Sequence, residues 1–172
     1  MKDAILGAAI EVVALHGLNN WTVEEVANRA RCAKGLVNYH YRSKQDLLVQ
    51  VAETIRDDRA AHRLAAVQSS GAHALDRLWE TLLKEMESGW FAAWLSLLAS
   101  DGPLRAAAGS TLKSSKAFAL ALGRALDIGD HLAPQAFLIE STLNGLQIGL
   151  LQGVTPSAAE EDYHRFWLTV LP

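Results

Sequence analysis

Apolar residues recur at intervals of three and four along nearly the whole chain, and strict alternation never persists. That periodicity predicts helices throughout and no strand. A first helix puts Ile5, Ala8, Ala9, Val12 and Leu15 on one face and ends at Gly17. Thr22 and Glu25 have the spacing of a capping box, opening a short helix whose Val23, Val26 and Ala27 or Ala30 face inward. After a tight turn, a second short helix sets Val37 and Tyr41 toward the core and leaves a polar and aromatic outer face. Ser43 can then cap a longer helix carrying Leu47, Leu48, Val51 and Ile55 to about Gln68, with Asp46 in its first turn.

The pattern repeats downstream. Leu75, Leu78, Trp79, Leu82, Leu83 and Met86 predict a helix over 72–88, broken by Gly89. Phe91, Trp94, Leu95 and Leu98 predict another that stops before Gly102-Pro103. A long helix is expected from Leu104 or Gly109 to Leu126, and Pro134 opens one over 135–152. Ser157 and Glu160 have capping-box spacing ahead of Tyr163, Phe166, Trp167 and Val170. The expected fold is all-α: about nine helices, an N-terminal three-helix unit over 1–47 and a helical bundle over 48–172.

Composition narrows the class. Half of the 172 residues are hydrophobic, too many for disorder, and four prolines leave little room for linkers. Cys32 is the single cysteine, so no internal disulfide framework exists and a reducing compartment fits. The apolar stretch over 133–152 contains Glu140, Asn144 and Gln147, which favours a buried helix over a membrane span. A cytoplasmic protein with no membrane contact is expected.

Charge singles out the second and third helices. The chain is at −3 overall, yet Arg29, Arg31, Lys34, Arg42 and Lys44 cluster with no acidic residue between Arg29 and Lys44. Two short helices at a steep angle present one of them to a DNA major groove, and basic side chains supply attraction to phosphates. Lys34 and Asn38 lie one turn apart, suited to base edges or phosphates. Gly35 allows close backbone approach, and Tyr39 and His40 can reach phosphates or thymine methyls. Leu36 shares the same outer surface.

This stretch resembles the helix-turn-helix of TetR-type transcriptional regulators through Thr22, Val26, Ala27, Ala30, Gly35, Val37, Tyr39, His40, Tyr41, Lys44 and Leu47. Residues 5–9 and Leu15-His16-Gly17 resemble that family's first helix. The close match covers about the first quarter of the chain. By this resemblance, Thr22 and Lys44 contact the sugar-phosphate backbone, and the DNA-binding set is Thr22, Lys34, Gly35, Leu36, Asn38, Tyr39, His40 and Lys44. Three positions depart from the family: Arg31 stands where the turn has glycine, Ala33 where Ser or Thr caps, and Asn38 in place of tyrosine. Lys2 is the only cation ahead of the first helix.

The resemblance further implies an effector cavity in the bundle. Trp79, Met86, Trp90, Phe91, Trp94 and Phe118 fall where such a cavity is built, with Asn144, Gln147 and Glu140 as polar anchors; Asn144 is taken into the ligand-binding set. An aromatic lining suits a flat apolar molecule or a cation held against ring faces. Gly145, Gly149 and Gly153 recur every four residues opposite Ile139, Leu143, Leu146 and Leu150. Glycine in a helix costs about 1 kcal/mol, so a close helix neighbour is expected, either within the subunit or across a homodimer interface.

Catalytic and metal readings find little support. Glu161 and His164 lack a second Glu-x-x-His, Asp58 and His62 read as a solvated pair, and Cys32 as a structural thiol. No catalytic residue, metal or cofactor is expected. The expected function is a ligand-responsive repressor that binds a palindromic operator as a homodimer. The competing reading is a helical ligand- or protein-binding module with weak or lost DNA binding.

Overall fold

The computed structural model describes residues 1–68, 71, 73–109 and 112–172, apart from the side chain of Leu112. Among these residues there are ten α-helices, one 3₁₀ turn and no strand. The chain forms two compact units, one of residues 1–58 and 88–109, the other of residues 59–87 and 110–172.

The first unit contains α1 (Lys2–His16), α2 (Val23–Arg29), α3 (Lys34–His40), the beginning of α4 (Lys44–Ala66), α6 (Trp90–Ala99) and α7 (Pro103–Ala108). Helix α1 packs against α2 and α6, and α2 packs against α3. Helix α1 buries Ile5, Ala8, Ala9 and Val12 as its periodicity predicts, together with Ile10 and Val13. Leu15, expected on that face, is exposed. At about 100° per residue, the buried arc is centred near Ala9 and extends toward Ile10 and Val13, which leaves Leu15 beyond its other edge. Gly89, ahead of α6, adopts φ +75°, and a Cβ there would lie 3.1 Å from the Ala14 carbonyl oxygen. Both the backbone and the close approach demand glycine at this position.

The capping expectations divide. At α2 the Thr22 hydroxyl accepts from the Glu25 amide at 3.2 Å, while the Glu25 carboxylate accepts from the Thr22 amide at 2.6 Å. The Ser43 hydroxyl accepts from the Asp46 amide at 3.0 Å. Ala33 opens α3 with no side-chain cap.

The second unit contains the end of α4, α5 (His73–Glu87), α8 (Leu112–Ala125), a 3₁₀ turn (Ala133–Gln135), α9 (Ala136–Leu151) and α10 (Pro156–Val170). Helix α9 packs against α5, α8 and α10. Leu78, Leu82, Leu122, Ile139, Leu143 and Tyr163 are fully buried in its core. Each such side chain contributes about 1.5–3 kcal/mol on burial. The Tyr163 hydroxyl donates to the Leu75 carbonyl at 2.8 Å, and its ring sits 5.1 Å from that of Trp79. Burial pushes the Tyr163 phenol well above its usual range.

Three boundaries differ from the sequence reading. The single helix expected to Leu126 from Leu104 or Gly109 is two: Pro103 starts α7, Gly109 closes it, and α8 is separate. The last helix is capped by Thr155, which accepts from the Ala158 amide at 3.3 Å, and not by Ser157. Pro156 at the first helical position fixes that earlier start, because its φ is already helical and it lacks the amide that would go unpaired. Pro134 lies in the 3₁₀ turn, so α9 begins at Ala136. The 72–88 helix begins at His73 among the described residues; Ala72 lies outside them.

Two stability predictions follow from the caps. Ala33→Ser restores a side-chain acceptor for the amides of α3 and raises unfolding free energy by about 1 kcal/mol in urea titration; an unchanged midpoint refutes this. The backbone and side-chain bonds from Thr22 hold the Glu25 carboxyl below its ordinary value. A lowered folded value means that stability is present above the unfolded pKa and lost as pH falls through the folded one. The stability gap between the protein and Glu25→Gln is therefore largest near neutrality and closes below the ordinary carboxylate range. A gap that widens in acid contradicts the assignment.

Candidate nucleic-acid interface

Helix α3 is oriented by its two inward side chains. Val37 and Tyr41 are buried, while Lys34, Gly35, Asn38 and Tyr39 are exposed and Leu36 and His40 half-buried. Burial raises the Tyr41 phenol, with Asp3 adding to the effect. Tyr39 is 81% exposed, unusual for a large aromatic residue, and its ring meets His40 edge-on at 5.3 Å. A Cβ on Gly35 would meet nothing within 4 Å. Glycine there answers no demand of the protein's own packing, so the bare backbone faces outward. Lys34 and Asn38 share a face one turn apart, as their spacing requires.

The basic residues are less free than their sequence suggests. Lys34 lies 3.7 Å from Glu24, and Arg29 is bonded to Glu11. Both acids stand outside the acid-free stretch, so only the folded chain brings them near. Exposed pairs of this kind are worth about 0.2–1 kcal/mol and are exchangeable for other anions. Lys44 has a more committed position: its Nζ donates to the Trp21 carbonyl at 2.7 Å and lies 4.1 Å from the centre of the Trp21 ring. Trp21 is buried and immediately precedes the Thr22 cap. Lys44 thus ties the start of α4 to the start of α2. Thr22 is exposed, with its hydroxyl and amide engaged by Glu25.

Arg31 and Arg42 are exposed, and neither has an ion pair among the described residues. Arg31 adopts φ +53°, the left-handed region where glycine costs nothing and other residues cost about 1–2 kcal/mol. Its amide donates to the Asn28 carbonyl at 3.1 Å, and the Cys32 amide to Ala27 at 2.9 Å, closing the turn between α2 and α3. Cys32 is a half-buried free thiol.

The sequence-derived effector residues are distributed over both units. Trp90, Phe91 and Trp94 lie in the first, where the Phe91 and Trp94 rings are 5.5 Å apart and the Trp94 indole donates to the Ala108 carbonyl at 2.9 Å. Trp79, Met86, Phe118 and Asn144 lie in the second; Trp79 and Phe118 join its core, and Met86 is half-buried.

Asn144 belongs to a buried polar cluster that sequence reasoning had not assembled. Arg59 and Arg63 of α4, Glu85 of α5 and Gln147 of α9 are all buried. The Arg59 Nη2 reaches Asn144 Oδ1 at 3.2 Å and Gln147 Oε1 at 3.3 Å; the Arg63 Nη2 reaches the same atoms at 3.1 and 2.9 Å. Glu85 Oε2 accepts from Arg59 Nε at 3.1 Å, Arg63 Nη2 at 3.4 Å and Gln147 Nε2 at 3.0 Å. Desolvation, then the neighbouring Arg63 charge, lowers Arg59 to about 10. For Glu85, burial raises the value, but the two arginines outweigh it and the carboxyl titrates below its usual range. The signal available in sequence was two arginines four apart on a helix and an acid in the next, a pattern that usually marks a solvated face.

Among the described residues no group of His, Cys, Asp and Glu could hold a metal ion, and no helix is long and apolar enough to cross a membrane.

Residues 5–51 match the family of bacterial regulatory proteins, tetR family. No curated protein matches the chain. Among solved structures, a transcriptional regulator from Rhodococcus sp. RHA1 is 25% identical with TM-score 0.77, over 99% of this chain and 96% of that one. A transcriptional regulator from Aquifex aeolicus VF5 is 18% identical with TM-score 0.69, over 99% of each chain. The multidrug binding protein EbrR, solved with malachite green, is 23% identical with TM-score 0.69, over 100% of this chain and 98% of that one. Proteins of this family are transcription factors and not enzymes. Over residues 5–51 the chain is similar to bacterial regulatory proteins of the tetR family, and as a whole it has the fold of TetR-family transcriptional regulators.

Proposed function

We propose that the protein is a cytoplasmic, ligand-responsive repressor that binds a palindromic operator as a homodimer. The observation that carries this reading is the outward face of α3, where Lys34, Gly35, Asn38 and Tyr39 are exposed while Val37 and Tyr41 anchor the helix. In this reading Lys34 and Asn38 meet base edges, Gly35 admits the DNA backbone, and Leu36, Tyr39 and His40 make apolar and phosphate contacts. Thr22 and Lys44 contact phosphates, Lys44 also holding the α2 cap in place. Residues 1–47 read the DNA; residues 48–172 bind the effector and dimerise.

The dimer is supported by the last two helices. A Cβ on Gly145 would meet nothing within 4 Å, so its own subunit does not supply the close neighbour that a helix glycine suggests. Phe137, Leu138 and Leu168 are exposed on α9 and α10. Two recognition helices related by the dimer axis would enter major grooves about 34–36 Å apart or a multiple of it. The effector, contacting Trp79, Met86, Phe118 and Asn144, would prefer the state that does not bind DNA, since equal affinity for both states shifts nothing.

A second reading, a ligand- or partner-binding module with weak DNA affinity, is favoured by the strained Arg31, the uncapped α3 and the acid partners of Lys34 and Arg29. Selection from random duplex DNA separates the two. A palindromic consensus bound at about 10⁻⁸ M or tighter at physiological salt is expected; weak, sequence-blind binding by a folded protein supports the second reading. On the selected duplex, Asn38→Ala changes base preference, and an unaltered preference removes Asn38 from the reading set. Lys44→Ala weakens all sequences alike and reduces the salt slope by about 0.9, the value for one phosphate contact. An unchanged slope leaves Lys44 with the positioning role alone.

A further inference from the structure

Folding treats the five cations from Arg29 to Lys44 unequally. Arg29 is bonded to Glu11, Lys34 lies beside Glu24, and the Lys44 ammonium is held by the Trp21 carbonyl and ring. Arg31 and Arg42 are exposed, and their side chains have neither a hydrogen bond nor an ion pair among the described residues. One precedes α3 and the other follows it. The helix between them has seven residues. At about 1.5 Å per residue it is about 10 Å long, close to the width of a major groove, about 12 Å.

The two arginines differ in backbone. Arg31 adopts φ +53°, whereas Arg42 is not among the residues of positive φ. The turn around Arg31 is closed by main-chain groups: its amide donates to the Asn28 carbonyl, and the Cys32 amide donates to that of Ala27. Glycine would make both bonds without the Cβ that strains a left-handed residue. The turn therefore loses stability to this side chain and draws no polar contact from it. Strain of this kind clusters where a side chain serves a partner. A guanidinium offers five donors in a planar fork that fits phosphate oxygens, and nothing in the first unit engages this one.

We propose that Arg31 binds a phosphate of the DNA backbone beside the start of α3 and thereby positions Lys34 and Asn38 over the bases. This rests on the DNA-binding reading above. Unlike Arg29 and Lys34, Arg31 has no acid to release before it takes the phosphate. The strained backbone counts against the stability of the turn, and the side chain it carries counts toward affinity. The two effects have opposite signs and are separable by one substitution.

The test is Arg31→Gly in the full chain, measured for thermal unfolding and for salt-titrated binding to the duplex that the parent protein selects. Glycine relieves the turn and raises Tm by about 2 °C or more. It also weakens binding at least about tenfold and reduces the salt slope by about 0.9 for each bound subunit. Arg31→Lys, which keeps a cation on the same backbone, retains the parental Tm and slope. Phosphates of the duplex are then neutralised one at a time as methylphosphonates. One position in each half-site weakens binding by the parent and leaves binding by Arg31→Gly unchanged. The proposal is overturned if Arg31→Gly keeps the parental affinity and slope, if its Tm does not rise, if Arg31→Lys loses the slope, or if no phosphate becomes insensitive. A parent that selects no sequence overturns the DNA-binding reading and the contact together. Sequence-specific binding that Arg31→Gly leaves intact refutes the contact alone.

Discussion

A helix of seven residues has no stability of its own in water, because nucleation fixes several residues for each hydrogen bond gained. Helix α3 exists only while Val37 and Tyr41 remain buried and α2 stays packed against it. Helix α2 is equally short, and its start is fixed by the reciprocal Thr22–Glu25 bonds and by Lys44 gripping Trp21 one residue earlier. The orientation of the outward face of α3, the face proposed to read DNA, is thus set from behind by apolar anchors and at one end by a cap. No group on that face needs to take part in holding it, which leaves Lys34, Asn38 and Tyr39 available for a partner.

Electrostatics in the two units obey different magnitudes. The pairs Arg29–Glu11 and Lys34–Glu24 are exposed, worth fractions of a kcal/mol, and yield readily to a phosphate. The buried cluster cannot exchange partners with water; each charge removed from solvent carries a penalty of several kcal/mol that only good pairing offsets. Glu85 holds both arginines. Surface charge here can change partners, and buried charge is held in one arrangement.

The sequence makes the first unit legible for a physical reason: caps and anchors act within a few residues. Thr22 with Glu25, Ser43 with Asp46, and the inward pair Val37 and Tyr41 all follow from spacing alone. Errors occur where a distant neighbour or a competing local rule decides. Leu15 depends on which arc of α1 its partners cover, Thr155 takes the cap from Ser157 because of Pro156, and Gly109 divides a helix that periodicity would continue. Arg59 and Arg63 look like a solvated pair until α5 and α9 close over them. The acids that pair with Lys34 and Arg29 come from other helices, Glu24 from α2 and Glu11 from α1, beyond the reach of local counting.

Regulation by this protein, as proposed, depends on α3 being the element that enters DNA. The most direct measurement is a crystal structure of the protein with the duplex obtained by selection. The expected result is α3 inside the major groove, with Lys34 and Asn38 at base edges and the Gly35 backbone against the DNA. A bound complex in which α3 lies outside the groove, with the duplex held by another surface, would contradict it.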